Sequence, residues 1–296
     1  MNPFVPFAGL ILSSLVWGLS WWPIRWLDAH GLHVLWATAA MYLVPTVGLF
    51  LIGRRAVAPW LGRRTFWLLV AAAGLTNVAF NWGVLVGEVV RVVLLFYLMP
   101  VWAIAFARVL LGERPDRGTF LRTLLALSGA MTVLWRPDIG LPLPRSAGDW
   151  LGLAGGMFFA LNNVTLRRLA AAPAAARSLG IFAGGLLLPA AFALAFTGAG
   201  LVSPPPAPEA GWMLAVAAFA TALVLGNLGL QFGASRLPAE VTAVVLLGEV
   251  LVAAVSAVLI GGETIEPRTL AGGVLIMSAA LAAALGPARR SPRATS

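Results

Sequence analysis

The sequence holds no cysteine, no lysine, only two histidines and two tyrosines, and charged side chains at just 10% of its 296 positions. Without cysteine there are no disulfides, thiolate metal sites or thiol nucleophiles. Without lysine there is no Schiff-base chemistry. His30 and His33 lie together in one short break between apolar runs, with no cluster of further ligands, and read as loop or interface residues rather than a metal site. No P-loop, H-E-x-x-H or G-x-S-x-G pattern occurs, so nucleotide-driven pumping and the common hydrolase designs have no support. No metal and no cofactor is expected.

What is abundant is apolar surface. Apolar residues make up 60% of the chain and the mean hydropathy is +0.92, which leaves too little charge to hydrate a soluble globule of this size. Apolar runs of about 20 residues recur along the whole chain with short polar breaks between them, and that is the length a helix needs to cross a bilayer. The fold class expected is therefore an all-α integral membrane protein embedded in lipid. Ten transmembrane helices are expected near 4–24, 33–52, 66–86, 89–111, 119–136, 147–170, 178–197, 212–233, 238–260 and 268–286. Met1-Asn2-Pro3 has no basic character and no small-residue cleavage site follows, so the first run is expected to stay as a span.

The net charge of +9 would suggest a nucleic-acid partner in a soluble protein. Here the arginines sit in the breaks between spans, so they set topology and no nucleic acid is expected. Assigning the breaks alternately to two sides puts 15 of the 20 arginines on one side, including Arg54, Arg55, Arg63, Arg64, Arg114 and Arg122. The positive-inside rule makes that side, with both termini, cytoplasmic.

A shift of 150 residues lays Leu75-Thr76-Asn77-Val78-Ala79-Phe80-Asn81-Trp82-Gly83 on Leu225-Gly226-Asn227-Leu228-Gly229-Leu230-Gln231-Phe232-Gly233 and Gly112-Glu113 on Gly262-Glu263. A shift of 143 lays Gly9-Leu10 on Gly152-Leu153 and Arg25 on Arg168. Two five-helix repeats follow, residues 1–137 and 138–296, the second with a short basic C-terminal tail. An odd number of spans per repeat inverts the second copy, an arrangement used by carriers whose substrate site lies near the midplane.

Trp17-Gly18 in the first span, Pro100 with the apolar run into Leu111-Gly112-Glu113-Arg114, and Gly262-Glu263 after the ninth span carry a family resemblance over essentially the whole chain. The chain resembles the drug/metabolite transporter superfamily in its EamA-type, five-plus-five form. Within it, the Tyr97-Leu98-Met99-Pro100-Val101-Trp102 stretch and the many tryptophans look most like the aromatic amino acid exporter branch. The resemblance implies a secondary transporter rather than an enzyme, a bacterial inner (cytoplasmic) membrane, export of amino acids as the small-molecule substrate, and a monomer. One departure is Glu249-Val250, where family members often carry Glu-Pro.

Polar side chains at membrane depth are costly unless they face protein or water, so they mark the candidate site. Asn77 and Asn81 share one helix face, and Asn227 and Gln231 repeat the spacing. Lining a cavity and holding helices together, at about 0.6 kcal/mol per contact, both remain open for them. Of adjacent Asn162 and Asn163, Asn163 is placed in the site. Glu249, halfway along the ninth span, must be protonated, paired or in contact with water, and either substrate coupling or a structural hydrogen bond would explain it. Pro100 cannot donate to the carbonyl of Phe96 and should bend the fourth span. Trp17, Trp82 and Tyr97 are expected to wall the cavity. Glu88 and Arg91 stand close enough in sequence for a local ion pair. The competing functions are export of cationic drugs or other metabolites, and an intramembrane enzyme, for which the solitary deep carboxylate is poor equipment.

Overall fold

The computed structural model describes residues 4–113, 117–136, 141–234, 236–237 and 239–285. Arg114, Pro137 at the expected repeat boundary, and the basic tail with Arg289, Arg290 and Arg293 lie outside these residues. Twelve helices occur among them: α1 (Phe4–Gly18), α2 (Trp21–Ala29), α3 (Val34–Leu61), α4 (Arg64–Val86), α5 (Val89–Phe96), α6 (Met99–Leu111), α7 (Arg117–Leu134), α8 (Ala147–Arg168), α9 (Ala174–Gly198), α10 (Ala210–Ala234), α11 (Ala239–Leu259) and α12 (Pro267–Ala284). The only extended pairing among them is a two-residue one, β1 (Trp135–Arg136) antiparallel to β2 (Leu141–Pro142).

Among the described residues, six helical stretches are long and apolar enough to cross a membrane: Val5–Ala29, Val34–Leu61, Arg64–Val86, Val89–Leu111, Ala174–Gly198 and Ala210–Ala234. The remaining four rods are α7, α8, α11 and α12. In α8, Asp149, Arg167 and Arg168 charge the ends, and α11 and α12 offer the shorter apolar stretches Val244–Leu259 and Pro267–Ala282. Large apolar side chains stand exposed around the bundle, such as Val44, Ile52, Val109 and Leu259 at 76–89%. In water that surface would be a severe liability, and in lipid it is the normal outer face.

Two rods are broken rather than continuous. The first runs α1 to α2 through Leu19-Ser20, where the Ser20 hydroxyl donates to the Trp17 carbonyl at 2.7 Å. The second runs α5 to α6 through Tyr97-Leu98. Pro100 lies in the first turn of α6, where its missing N–H has no intrahelical partner to lose. The expected bend within a single fourth span is thus a full break, with Val101 N–H turning back to the Leu98 carbonyl at 2.9 Å.

Glycine lets the rods approach to backbone contact. A Cβ on Gly9 would lie 2.7 Å from the Gly229 oxygen, one on Gly74 2.5 Å from the Gly184 oxygen, and one on Gly129 2.7 Å from the Gly272 oxygen. These three glycine-on-glycine contacts weld α1 to α10, α4 to α9 and α7 to α12, a small-residue logic usual where lipid supplies no hydrophobic drive between helices. The contacts also fix direction. Against α1, α10 runs antiparallel, with Gly9 on Gly229 and Gly233 on Pro6, while α11 runs parallel, with Ser14 donating to the Val245 carbonyl at 3.0 Å and Trp21 Nε1 to Ser256 Oγ at 3.0 Å. Around α8 the pattern recurs: α4 is antiparallel, with Gly87 on Gly148 and Phe80 on Gly155, and α5–α6 is parallel, with Val92 on Gly152 and Phe96 on Gly156.

The expected Glu88–Arg91 pair does not form. Glu88 is the exposed residue ahead of α5, and the first turn of that helix carries Arg91 inward instead. There its guanidinium grips Asp149 of α8 through Nε to Oδ1 at 2.5 Å and Nη2 to Oδ2 at 3.0 Å, and donates from Nη1 to the Val133 carbonyl of α7 at 2.6 Å. Asp149 also accepts from the Arg145 N–H at 2.6 Å. Both side chains are nearly sealed, at 6% and 1% exposure, so one buried pair clamps three helices.

Candidate functional site

Glu249 sits near the middle of α11, and its carboxylate accepts a hydrogen bond from the Tyr97 hydroxyl. Tyr97 is buried at 5% exposure in the break between α5 and α6. The helical break therefore places a phenol across from the deep carboxylate, joining residues 152 positions apart. Trp17 is half-buried beside Gly18, whose position leaves no room: a Cβ there would come within 2.7 Å of the Glu249 carbonyl oxygen and of the Val252 side chain. Gly18→Val is accordingly expected to push α1 off α11 and to cost at least about 1–3 kcal/mol of stability. Thermal unfolding in detergent would measure it, and a wild-type midpoint would refute the close contact.

A cavity of about 100 Å³ opens beside this pair, bounded by Tyr97, Pro100 and Ile104 of the fourth rod, Thr119, Arg122, Thr123 and Ala126 of α7, and Ile276, Ala279 and Ala280 of α12. Two residues expected at the site, Tyr97 and Pro100, thus share a wall, and Glu249 joins them through the tyrosine. The α7 and α12 residues were not expected there. A readable signal was the spacing of 119, 122, 123 and 126, which puts Arg122 on the inward stripe of α7 while Phe120, Leu121, Leu124 and Leu127 are exposed.

The remaining expected residues are placed elsewhere. Asn81 is buried and donates to Thr38 Oγ1 of α3 at 3.0 Å, a helix-to-helix bond. Asn77 is half-buried, donates to the Ala73 carbonyl of its own helix at 2.9 Å and faces Tyr42. Asn227 donates to the Leu223 carbonyl of α10 at 3.2 Å. Gln231 belongs to α10, but its side chain lies outside the described residues. Asn163 is exposed on α8 and accepts from Asn162 at 3.3 Å. Trp82 is half-buried near the far end of α4, with its ring edge-on to His33 at 5.4 Å and against Phe196 at 5.7 Å. His33 caps α3 by accepting the Leu35 N–H at Nδ1 over 3.3 Å. Partial burial lowers its pKa, with Asp28 offsetting part of the effect, and the neutral ring this favours is the form able to accept that bond.

Two further ion pairs involve the glutamates that the repeat had paired. Glu263, after the left-handed Gly262, meets Arg25 at 3.0 Å and accepts the Val89 N–H at 3.0 Å, while Arg25 also donates to the Val84 and Gly87 carbonyls at 2.9 and 2.7 Å. Glu113, after the left-handed Gly112, pairs with Arg167. The repeat had aligned Arg25 with Arg168, one position away. The Glu263 pair is the more enclosed, at 28% and 13% exposure against 56% and 28%. Among the described residues no group of three or more His, Asp or Glu side chains is arranged to hold a metal.

Residues 6–135 match the EamA-like transporter family. No curated protein matches the chain. A solved chain titled only as the crystal structure of a protein superposes with a TM-score of 0.55 at 18% identity, covering 94% of this chain and 96% of the other, a likeness of fold alone. The match covers less than half of the chain, and beside it stand helices long and apolar enough to cross a membrane several times.

Proposed function

We propose that the chain is a secondary carrier that exports neutral amino acids, aromatic ones included, by alternating access, and that it does so as ten spans in two inverted halves with both termini in the cytoplasm of a bacterial inner membrane. The observation that carries this reading is the Tyr97–Glu249 pair at the broken fourth rod, beside a small cavity. A carboxylate and a phenol offer acceptors for a substrate ammonium, and the aromatic and aliphatic walls favour a large apolar side chain, at about 0.5–1.5 kcal/mol per aromatic contact. Selectivity of that size is modest, which suits a broad exporter of the YddG kind more than a carrier for one compound.

The recurrence of packing around α1 and α8 supports the inverted halves. Each of these helices has one antiparallel and one parallel partner, and the partners correspond under the sequence repeat. Because the chain has no cysteine, a single thiol placed at Gly62, between α3 and α4, reports topology without background. It is expected to react with an impermeant maleimide only from the cytoplasmic side, and labelling of intact cells from outside would reverse the assignment.

The second reading, export of cationic drugs, is favoured by the same Glu249, which would pair with the drug's charge while aromatics stack on its rings. Efflux from vesicles of purified protein separates the two. Phenylalanine, tryptophan and leucine are expected to move faster than through protein-free vesicles. Movement of a quaternary ammonium dye with no amino acid flux would replace the first reading by the second.

A further inference from the structure

We propose that Arg122, oriented by Thr119, is the anion subsite of the cavity beside Tyr97 and holds the carboxylate of an amino acid substrate. This rests on the functional reading above and deepens it. Arg122 is half-buried on the cavity side of α7, away from the lipid-exposed row of Phe120, Leu121 and Leu124. Its guanidinium donates from Nη2 to Thr119 Oγ1 at 3.1 Å, and among the described residues it has no ion-pair partner. A guanidinium carries five N–H donors, so one hydroxyl leaves most of them available. A partly desolvated cation beside a cavity, with no ion-pair partner among the described residues, is costly until an anion arrives.

Another lining residue leads to the complementary charge. Tyr97 lines this cavity and is the residue bonded to Glu249. One small space is thus bordered by a cation on α7 and, through Tyr97, by a carboxylate on α11. A zwitterion, with its two charges on neighbouring atoms and an apolar side chain, matches that pattern. A planar guanidinium suits a carboxylate better than a point charge does. The polar residues expected from sequence to take this role, Asn81 and Asn227, already donate to other protein groups.

The test is phenylalanine flux into vesicles of the purified chain, with KM and Vmax measured separately for the wild type, Arg122→Gln, Arg122→Lys and Thr119→Val. Arg122→Gln is expected to raise KM about tenfold or more, Arg122→Lys to recover part of it, and Thr119→Val, which frees the guanidinium from its one hydroxyl, to raise it about threefold, all at near wild-type thermal stability. Should Arg122→Gln fail to fold, the lysine and threonine variants still decide. A KM within about twofold of wild type in every folded variant overturns the subsite. So does a defect that appears only in vesicles containing anionic lipid, because Arg122 would then serve a phospholipid headgroup. A wild type that moves no amino acid at all defeats the functional reading itself, a result distinguishable from either.

Discussion

Replacing Glu249 with Gln is expected to slow solute flux by about ten- to a hundredfold, the cost of losing one charge-assisted hydrogen bond to substrate. Gln has the same shape, and its carbonyl still accepts from the Tyr97 hydroxyl, so the α5–α6 break and the packing of α11 on Gly18 are preserved. Only the charge goes. Stability should hold or rise, because a neutral amide is cheaper than a carboxylate at membrane depth. Tyr97→Phe removes the bond but keeps the charge, and is expected to cost only a few-fold in flux. Initial rates in vesicles, with thermal unfolding of the same preparations, check both variants. A Gln variant at wild-type rate would make the pair a helix contact and nothing more.

The largest effect on stability is expected at the other carboxylate. Asp149→Ala leaves the Arg91 guanidinium sealed among α5, α7 and α8 with one carbonyl, that of Val133, for company. Breaking a buried pair from one side costs about 3–5 kcal/mol, enough to unfold many proteins. Removing both charges together is a different experiment. Arg91→Met with Asp149→Leu fills the volume with apolar groups and is expected to regain most of the loss. Denaturation in detergent compares the three proteins. A single variant within about 1 kcal/mol of wild type would mean that water reaches the pair.

Much of the bundle was legible in the sequence because lipid imposes simple rules. Apolar runs coincide with most helix positions. Partners across the bundle were not legible. Arg91 was matched to Glu88 by proximity along the chain, yet its true partner is 58 residues away, because helix direction and not sequence distance decides which side chains meet. The repeat aligned Arg25 with Arg168 although Arg167 makes the contact, since a one-residue slip turns a helical side chain by about 100°. Arg122 was read as a topology charge. Its place on the inward stripe became meaningful only once Tyr97, Pro100 and Ile276 were found around it. Tyr97 and Glu249 were each singled out for depth and residue type, and only the fold joined them.

Entrance counterflow tests the central claim most directly. Vesicles of the purified chain are loaded with unlabelled leucine and placed in a trace of labelled phenylalanine. A carrier that alternates between two faces is expected to accumulate label transiently above its outside concentration, because each return of the loaded site carries leucine out and phenylalanine in. Protein-free vesicles and the Glu249→Gln variant should show little or none. Label that merely equilibrates, at the same rate with or without internal leucine, or that does not enter at all, would contradict the account.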